Sequence, residues 1–216
     1  MDDLSPSIIE GLRKDLIING QKLKKNNDAC TKLCALHGFE YLAQGGSSIV
    51  AARDNFAYKF YRQRFLNISK ISQMQQAELT ALKKVVGNNS FSQYSRHDAG
   101  WIEMRLINGL AANSYFTSDG LSFFKQKHWQ ELFVAVKKAC ELNIVLDPNY
   151  PNLLYDKDKG FTLIDFSDSA AHLGGNKTKR LLRQKDCARF ITRLLICRNR
   201  QRALEEGLYC EVSDLL

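Results

Sequence analysis

Proline is scarce: Pro6, Pro148 and Pro151 are the only three in 216 residues. A chain so poor in proline is free to be helical over most of its length, and the two that fall close together mark one special loop. No apolar run approaches the ~20 residues of a membrane-spanning helix. The start, Met-Asp-Asp-Leu-Ser, is acidic where a signal peptide is basic and then apolar. A soluble chain with no signal peptide and no transmembrane segment is therefore expected. The six cysteines, Cys30, Cys34, Cys140, Cys187, Cys197 and Cys210, include no CxxC pair. A chain of this length builds a core without disulfide staples, so a reducing compartment fits. Hydrophobic residues make up 44% and charged residues 25%, which excludes disordered and fibrous classes.

Positive charge is in modest excess, 31 Lys+Arg against 23 Asp+Glu. It gathers at Lys22, Lys24 and Lys25, then at Lys177, Lys179, Arg180, Arg183, Lys185, Arg189 and Arg193, and again at Arg198, Arg200 and Arg202. A solvated helix face is the default reading, and a surface for an acidic partner, nucleic acid or lipid headgroups is the sharper one. Charge alone does not choose between them.

Apolar spacing predicts helix over 7–36, broken near Asn19-Gly20, and Gly38 ends it. Short strand runs follow at 39–43, 49–52 and 56–61, punctuated by Gly45-Gly46-Ser47-Ser48 and by Arg53-Asp54-Asn55. Helical spacing returns over 68–86, with Gly87-Asn88-Asn89 as the stop. Strands are predicted at 90–96 and 101–107, a helix at 121–142, a hairpin from 153–155 and 161–164, and a final helix over 177–206. The order describes an α+β chain of two lobes: a helical N-terminal extension (1–38), a β-rich N-lobe with one helix (39–109), and a mainly helical C-lobe (110–216).

Taken singly, the chemistry-bearing residues are weak signals. Gly45-Gly46-Ser47 could cradle phosphate through backbone N–H groups or be an ordinary turn. Lys59 lies in an apolar strand and shares a face with Ala57 and Tyr61, and a surface lysine is the default. Glu78 sits mid-helix, where solvent exposure is again the default. Their order changes the reading. Glu78 follows Lys59 by 19 residues, and the second lobe carries Asn143-Ile-Val-Leu-Asp147-Pro-Asn-Tyr-Pro-Asn152, then Ile164-Asp165-Phe166-Ser167.

This series resembles the protein kinases, with their glycine loop, strand lysine, helix glutamate, HRDxxxxN loop and DFG segment. The resemblance implies a two-lobed kinase-like fold with a minimal C-lobe that uses ATP and Mg²⁺. It implies nucleotide contacts from Gly45, Gly46, Ser47, Lys59, Met104 and Leu106, catalytic roles for Asp147, Lys59 and Glu78, and metal ligation by Asn152 and Asp165. Phosphoryl transfer requires a positioned hydroxyl, neutralised phosphate charge and hard oxygen ligands, which these side chains are.

Several positions depart from the pattern. Val145 and Leu146 replace the His and Arg of HRD, Asn149 replaces a lysine, and Ser167 replaces the glycine of DFG. No guanidinium precedes Asp147, so a phosphorylated activation loop is not the expected switch. The short span from Asp165 to Asp186 lacks an APE-like sequence. A truncated kinase of this kind is similar to the OspG and NleH effector kinases that bacterial pathogens inject into host cells. That similarity implies a Ser/Thr protein substrate and passage from the bacterial cytoplasm into a host cell. It also implies an activating host protein such as a ubiquitin-conjugating enzyme. The basic C-terminal helix is then expected to face an acidic protein surface, and nucleic acid is not expected. Two other readings remain: a kinase of the same fold acting on a small molecule or a lipopolysaccharide sugar, and a pseudokinase binding module.

Overall fold

Helix α1 (Pro6–Ile18) begins where Ser5 caps it, accepting from the Ser7 N–H, with proline in its first turn. Asn26 caps α2 (Asn27–Leu36) through the Ala29 N–H at 3.0 Å. The computed structural model describes residues 5–19, 22, 23, 25–62, 68–111, 125–142, 144, 146 and 152–166. The helix expected over 177–206, with its basic cluster, lies outside these residues, as does Asp147. The chain divides into two compact units, residues 1–76 with 94–106, and residues 77–93 with 107–216.

In the first unit, strands β1 (Glu40–Gln44), β2 (Ser48–Arg53), β3 (Phe56–Tyr61), β4 (Tyr94–Asp98) and β5 (Trp101–Arg105) form one antiparallel sheet in the order β1-β2-β3-β5-β4. Asp54, with φ 54°, makes the tight turn between β2 and β3. Strand alternation gives the sheet two different faces. Ile49, Ala51, Tyr58, Phe60 and Trp101 point one way and join Ile9, Leu12, Leu16, Cys30 and Cys34 of the two helices in one core. Each fully buried Ile, Leu or Phe among them stabilises by about 1.5–3 kcal/mol. The helical segment is thus built into the sheet's core, and His37 Nε2 bonds Asp15 Oδ2 at 2.8 Å to tie the end of α2 to α1. Cys30 and Cys34 are free and buried, and burial pushes the Cys34 thiol up to about 11. Burial of this kind disfavours the thiolate that nucleophilic cysteines need.

Helix α3 (Ile68–Lys84) crosses the division between Gln76 and Ala77. On the first unit's side the buried Gln75 holds the β4–β5 turn, donating to Trp101 O at 2.9 Å and accepting from the Gly100 N–H at 2.9 Å. The helix ends before Val86, which is 65% exposed. The single strand expected over 90–96 is divided between two partners. Tyr94–Asp98 joins β5, whereas Ser90 and Ser92 exchange backbone bonds with Leu163.

In the second unit, α4 (Gln126–Glu141) buries Leu132, Val136 and Ala139 at helical spacing. Strands β6 (Leu110–Ala111), β7 (Leu153–Asp156) and β8 (Gly160–Leu163) form a small antiparallel sheet. Sequence reading gave no sign of β6, because two residues carry no alternation. Asp156 Oδ1 accepts from the Asp158 and Lys159 N–H groups, which closes the hairpin and lowers the Asp156 carboxyl. His128 is buried on Tyr155, Nδ1 to Oη 3.0 Å, and burial lowers its imidazole. Gly109 is required by close approach, since a Cβ there would lie 2.8 Å from the Tyr155 carbonyl oxygen. Gly109→Ala is therefore expected to cost about 1–3 kcal/mol, read as a lower denaturation midpoint at unchanged m-value.

Candidate active site

Lys59 is mid-strand in β3, paired with Val50 on one side and Ile102 on the other, and is only 3% exposed. The surface position that a lone strand lysine suggests is not where it lies. Its face of the sheet is the one opposite the helices. Val50, Ala52, Ala57, Met104 and Tyr61 share it by register, and the ammonium lies 5.5 Å from the Tyr61 ring centroid. Small and apolar neighbours beside a buried cation suit a flat heterocycle carrying anionic groups. Val50 and Ala52 were missed in the sequence, although alternation from Lys59 through the β2 register identifies them. The Leu106 N–H donates to Asn55 O at 2.9 Å, so this amide is committed to the protein.

The loop Gly45-Gly46-Ser47 joins β1 to β2, with the Gly45 N–H donating to Ser48 O at 2.9 Å. Neither glycine has a positive φ, and a Cβ on either would meet nothing within 4 Å. Neither backbone conformation nor packing among the described residues requires glycine here. What glycine leaves is open space beside the Gly46 and Ser47 main chain, the Gly45 N–H being committed to Ser48 O.

In the second unit, Asp165 follows β8 with φ 62°, a left-handed backbone uncommon outside glycine. Such strain persists where the surroundings hold it, and it gathers at functional sites. Here two contacts hold it. The Ile164 N–H donates to Asn152 O at 2.9 Å, which draws Asn152 and Asp165 to the same end of the β7–β8 hairpin. Phe166 is fully buried, its ring 6.0 Å from that of Phe91, and its N–H meets Glu78 Oε1 at 3.4 Å. Glu78 itself is 1% exposed, against the solvent position that a mid-helix glutamate suggests. One hairpin end and one helix thus bring Asn152, Asp165 and Glu78 into a single neighbourhood. Leu146 is buried.

The donor set fits Mg²⁺. A carboxylate and an amide carbonyl are hard oxygen ligands, and this ion takes few protein ligands because it keeps waters and binds phosphate oxygens. No cluster of three or more His, Cys, Asp or Glu suited to a metal occurs among the described residues.

No protein-family model matches the sequence, and no curated protein matches it. Among solved structures the chain is similar to the Rio2 kinase of Chaetomium thermophilum, crystallised as an ADP/Mg²⁺-phosphoaspartate complex. The TM-score is 0.52 at 15% sequence identity, over 79% of this chain and 61% of that one. The fold is that of a protein kinase. This kinase-like chain spans 61% of the length of its structural neighbour, and a likeness at this identity speaks for the fold. No helix among its described residues is long and apolar enough to cross a membrane.

Proposed function

We propose that the chain transfers the γ-phosphoryl group of ATP, with Mg²⁺, to a Ser or Thr hydroxyl of a protein. The observation that carries this reading is the left-handed Asp165, beside Asn152 and backed by a buried Phe166 whose N–H meets Glu78. A turn residue needs no such support. Asn152 and Asp165 would hold Mg²⁺, which supplies charge neutralisation at the phosphates. Lys59 holds the α- and β-phosphates, Glu78 pairs with and orients that lysine, and the Gly45–Ser47 backbone covers the phosphates. Asp147 accepts a hydrogen bond from the acceptor hydroxyl and aims its oxygen at the γ-phosphorus. The new P–O bond forms as the bond to the β-phosphate oxygen breaks, the hydroxyl proton passes to Asp147, and ADP leaves.

In this reading 39–109 is the nucleotide lobe, 110–216 the acceptor lobe and 1–38 an extension. The protein acceptor and the bacterial effector setting rest on the resemblance to truncated effector kinases, as does the activating host protein. The test is labelled ATP offered with a general protein acceptor, an aminoglycoside and a lipopolysaccharide core, beside an Asp165→Ala control. Label on protein from the parent alone supports the proposal, and label on a sugar replaces the acceptor. No transfer together with no nucleotide binding leaves a binding module.

Glycine substitution separates this loop from an ordinary turn. Because Cβ atoms at Gly45 and Gly46 meet only open space, Gly46→Ala is expected to shift apo stability by no more than about 0.5 kcal/mol. Its Mg·ATP affinity, measured by titration calorimetry, is expected to fall about tenfold, since the methyl occupies the phosphate's approach. Equal affinity for parent and variant would remove the loop from the site.

A further inference from the structure

Gly45 and Gly46 pack against nothing, yet both ends of their loop are tied down. At the leading end the Gln44 side chain uses both halves of its amide. Its Oε1 accepts from Arg62 Nη2, and its Nε2 donates to Asn27 Oδ1 at 2.7 Å. At the trailing end the Ser47 carbonyl accepts from the Arg62 N–H at 2.8 Å. Arg62, buried just past the end of β3, therefore grips both ends of the loop, one through its guanidinium and the other through its main chain. Asn27 is the first residue of α2, and its Oδ1 also accepts from Tyr41 Oη at 2.9 Å. A single amide side chain joins the N-terminal helical segment to the loop.

Backbone N–H groups bind phosphate well only if they are held in place before the ligand arrives, because ordering them afterwards subtracts from affinity. Two adjacent glycines make that ordering costly. Side-chain packing at Gly45 and Gly46 does not supply it, since Cβ positions there face open space. Beside the Gly45 N–H bond to Ser48 O within the loop, the polar chain from Asn27 through Gln44 to Arg62 supplies it.

We propose that Gln44 is a positioning residue that sets the glycine loop for the phosphates of a nucleotide, held by Arg62 on one side and by Asn27 of α2 on the other. The helical segment ahead of the sheet is then a working part of the nucleotide site. This inference rests on the phosphate-binding reading of the loop.

The experiment measures Mg·ATP Kd, KM and kcat on the full chain for Gln44→Ala, Asn27→Ala, Asn27→Asp and the Gln44→Ala/Asn27→Ala pair. Gln44→Ala is expected to raise Kd and KM about tenfold, the loss of one to two hydrogen bonds, with kcat within about twofold of the parent. Asn27→Ala moves the same way by about threefold, whereas Asn27→Asp keeps the acceptor oxygen and the parent affinity. The double variant binds no worse than Gln44→Ala alone, because the two residues act through one contact. Parent-like Kd in Gln44→Ala, alongside lost binding in Asp165→Asn, overturns this inference and leaves the kinase reading standing. Should Gln44→Ala fail to fold, parent-like Kd in Asn27→Ala overturns it equally. A parent chain that binds no Mg·ATP takes down both.

Discussion

Replacing Asp165 with asparagine is expected to abolish the stabilisation of the chain by Mg·ATP and to lower turnover on the order of 10³-fold. Asparagine tolerates the left-handed backbone that Asp165 adopts and keeps its shape, so the change removes charge without disturbing the hairpin end. At a hundredfold excess over Kd, ligand binding stabilises a protein by about 2.7 kcal/mol. For a chain of this size that is a rise in Tm of roughly 5–10 °C. The parent should show this rise with ATP only when Mg²⁺ is present, and Asp165→Asn should show none of it. Apo Tm values should agree within about 2 °C, since the fold does not depend on the charge. A variant that ATP still stabilises as it does the parent would make Asp165 a turn residue and remove the metal site.

Lys59→Met is expected to lower kcat/KM on the order of 10²–10³-fold in protein that retains the parent's circular dichroism. Methionine keeps the volume of the lysine stem, so the sheet face between Val50 and Ile102 stays filled while the ammonium is lost. Lys59→Arg should not restore the rate. A planar guanidinium reaches farther and binds in a fork, and a site built for one compact cation does not accept that geometry. The measurement is steady-state kinetics on the folded fraction. Substantial turnover in Lys59→Met would mean that a buried strand lysine serves only the sheet.

The candidate site was partly legible because its residue types and spacings are a local record. Lys59, Glu78, Asn152 and Asp165 could be singled out by chemistry and order, and the strands around them by alternation. Their surroundings could not be read the same way. A strand lysine and a mid-helix glutamate default to solvent on local evidence, yet both are buried, because burial depends on what distant segments cover them. The segment 90–96 looked like one strand, and it divides because Leu163, about 70 residues on, competes with β5 for its backbone groups. The Gln44 network draws on residues 27, 41, 44 and 62. No periodicity links those positions.

From the sequence alone came the α+β class, the bounds of most helices and strands, the turn at Asp54-Asn55 and the kinase-like series of candidate residues. These follow from side-chain periodicity and turn chemistry, which act over a few neighbouring residues. Only the tertiary structure decided that β5 inserts between β3 and β4, that the two N-terminal helices complete the sheet's core, and that Asp165 takes a left-handed backbone. The reason is physical. Strand order, burial and backbone strain are each settled by competition among contacts far apart in sequence, where hydrophobic area and backbone hydrogen bonds outweigh local preference.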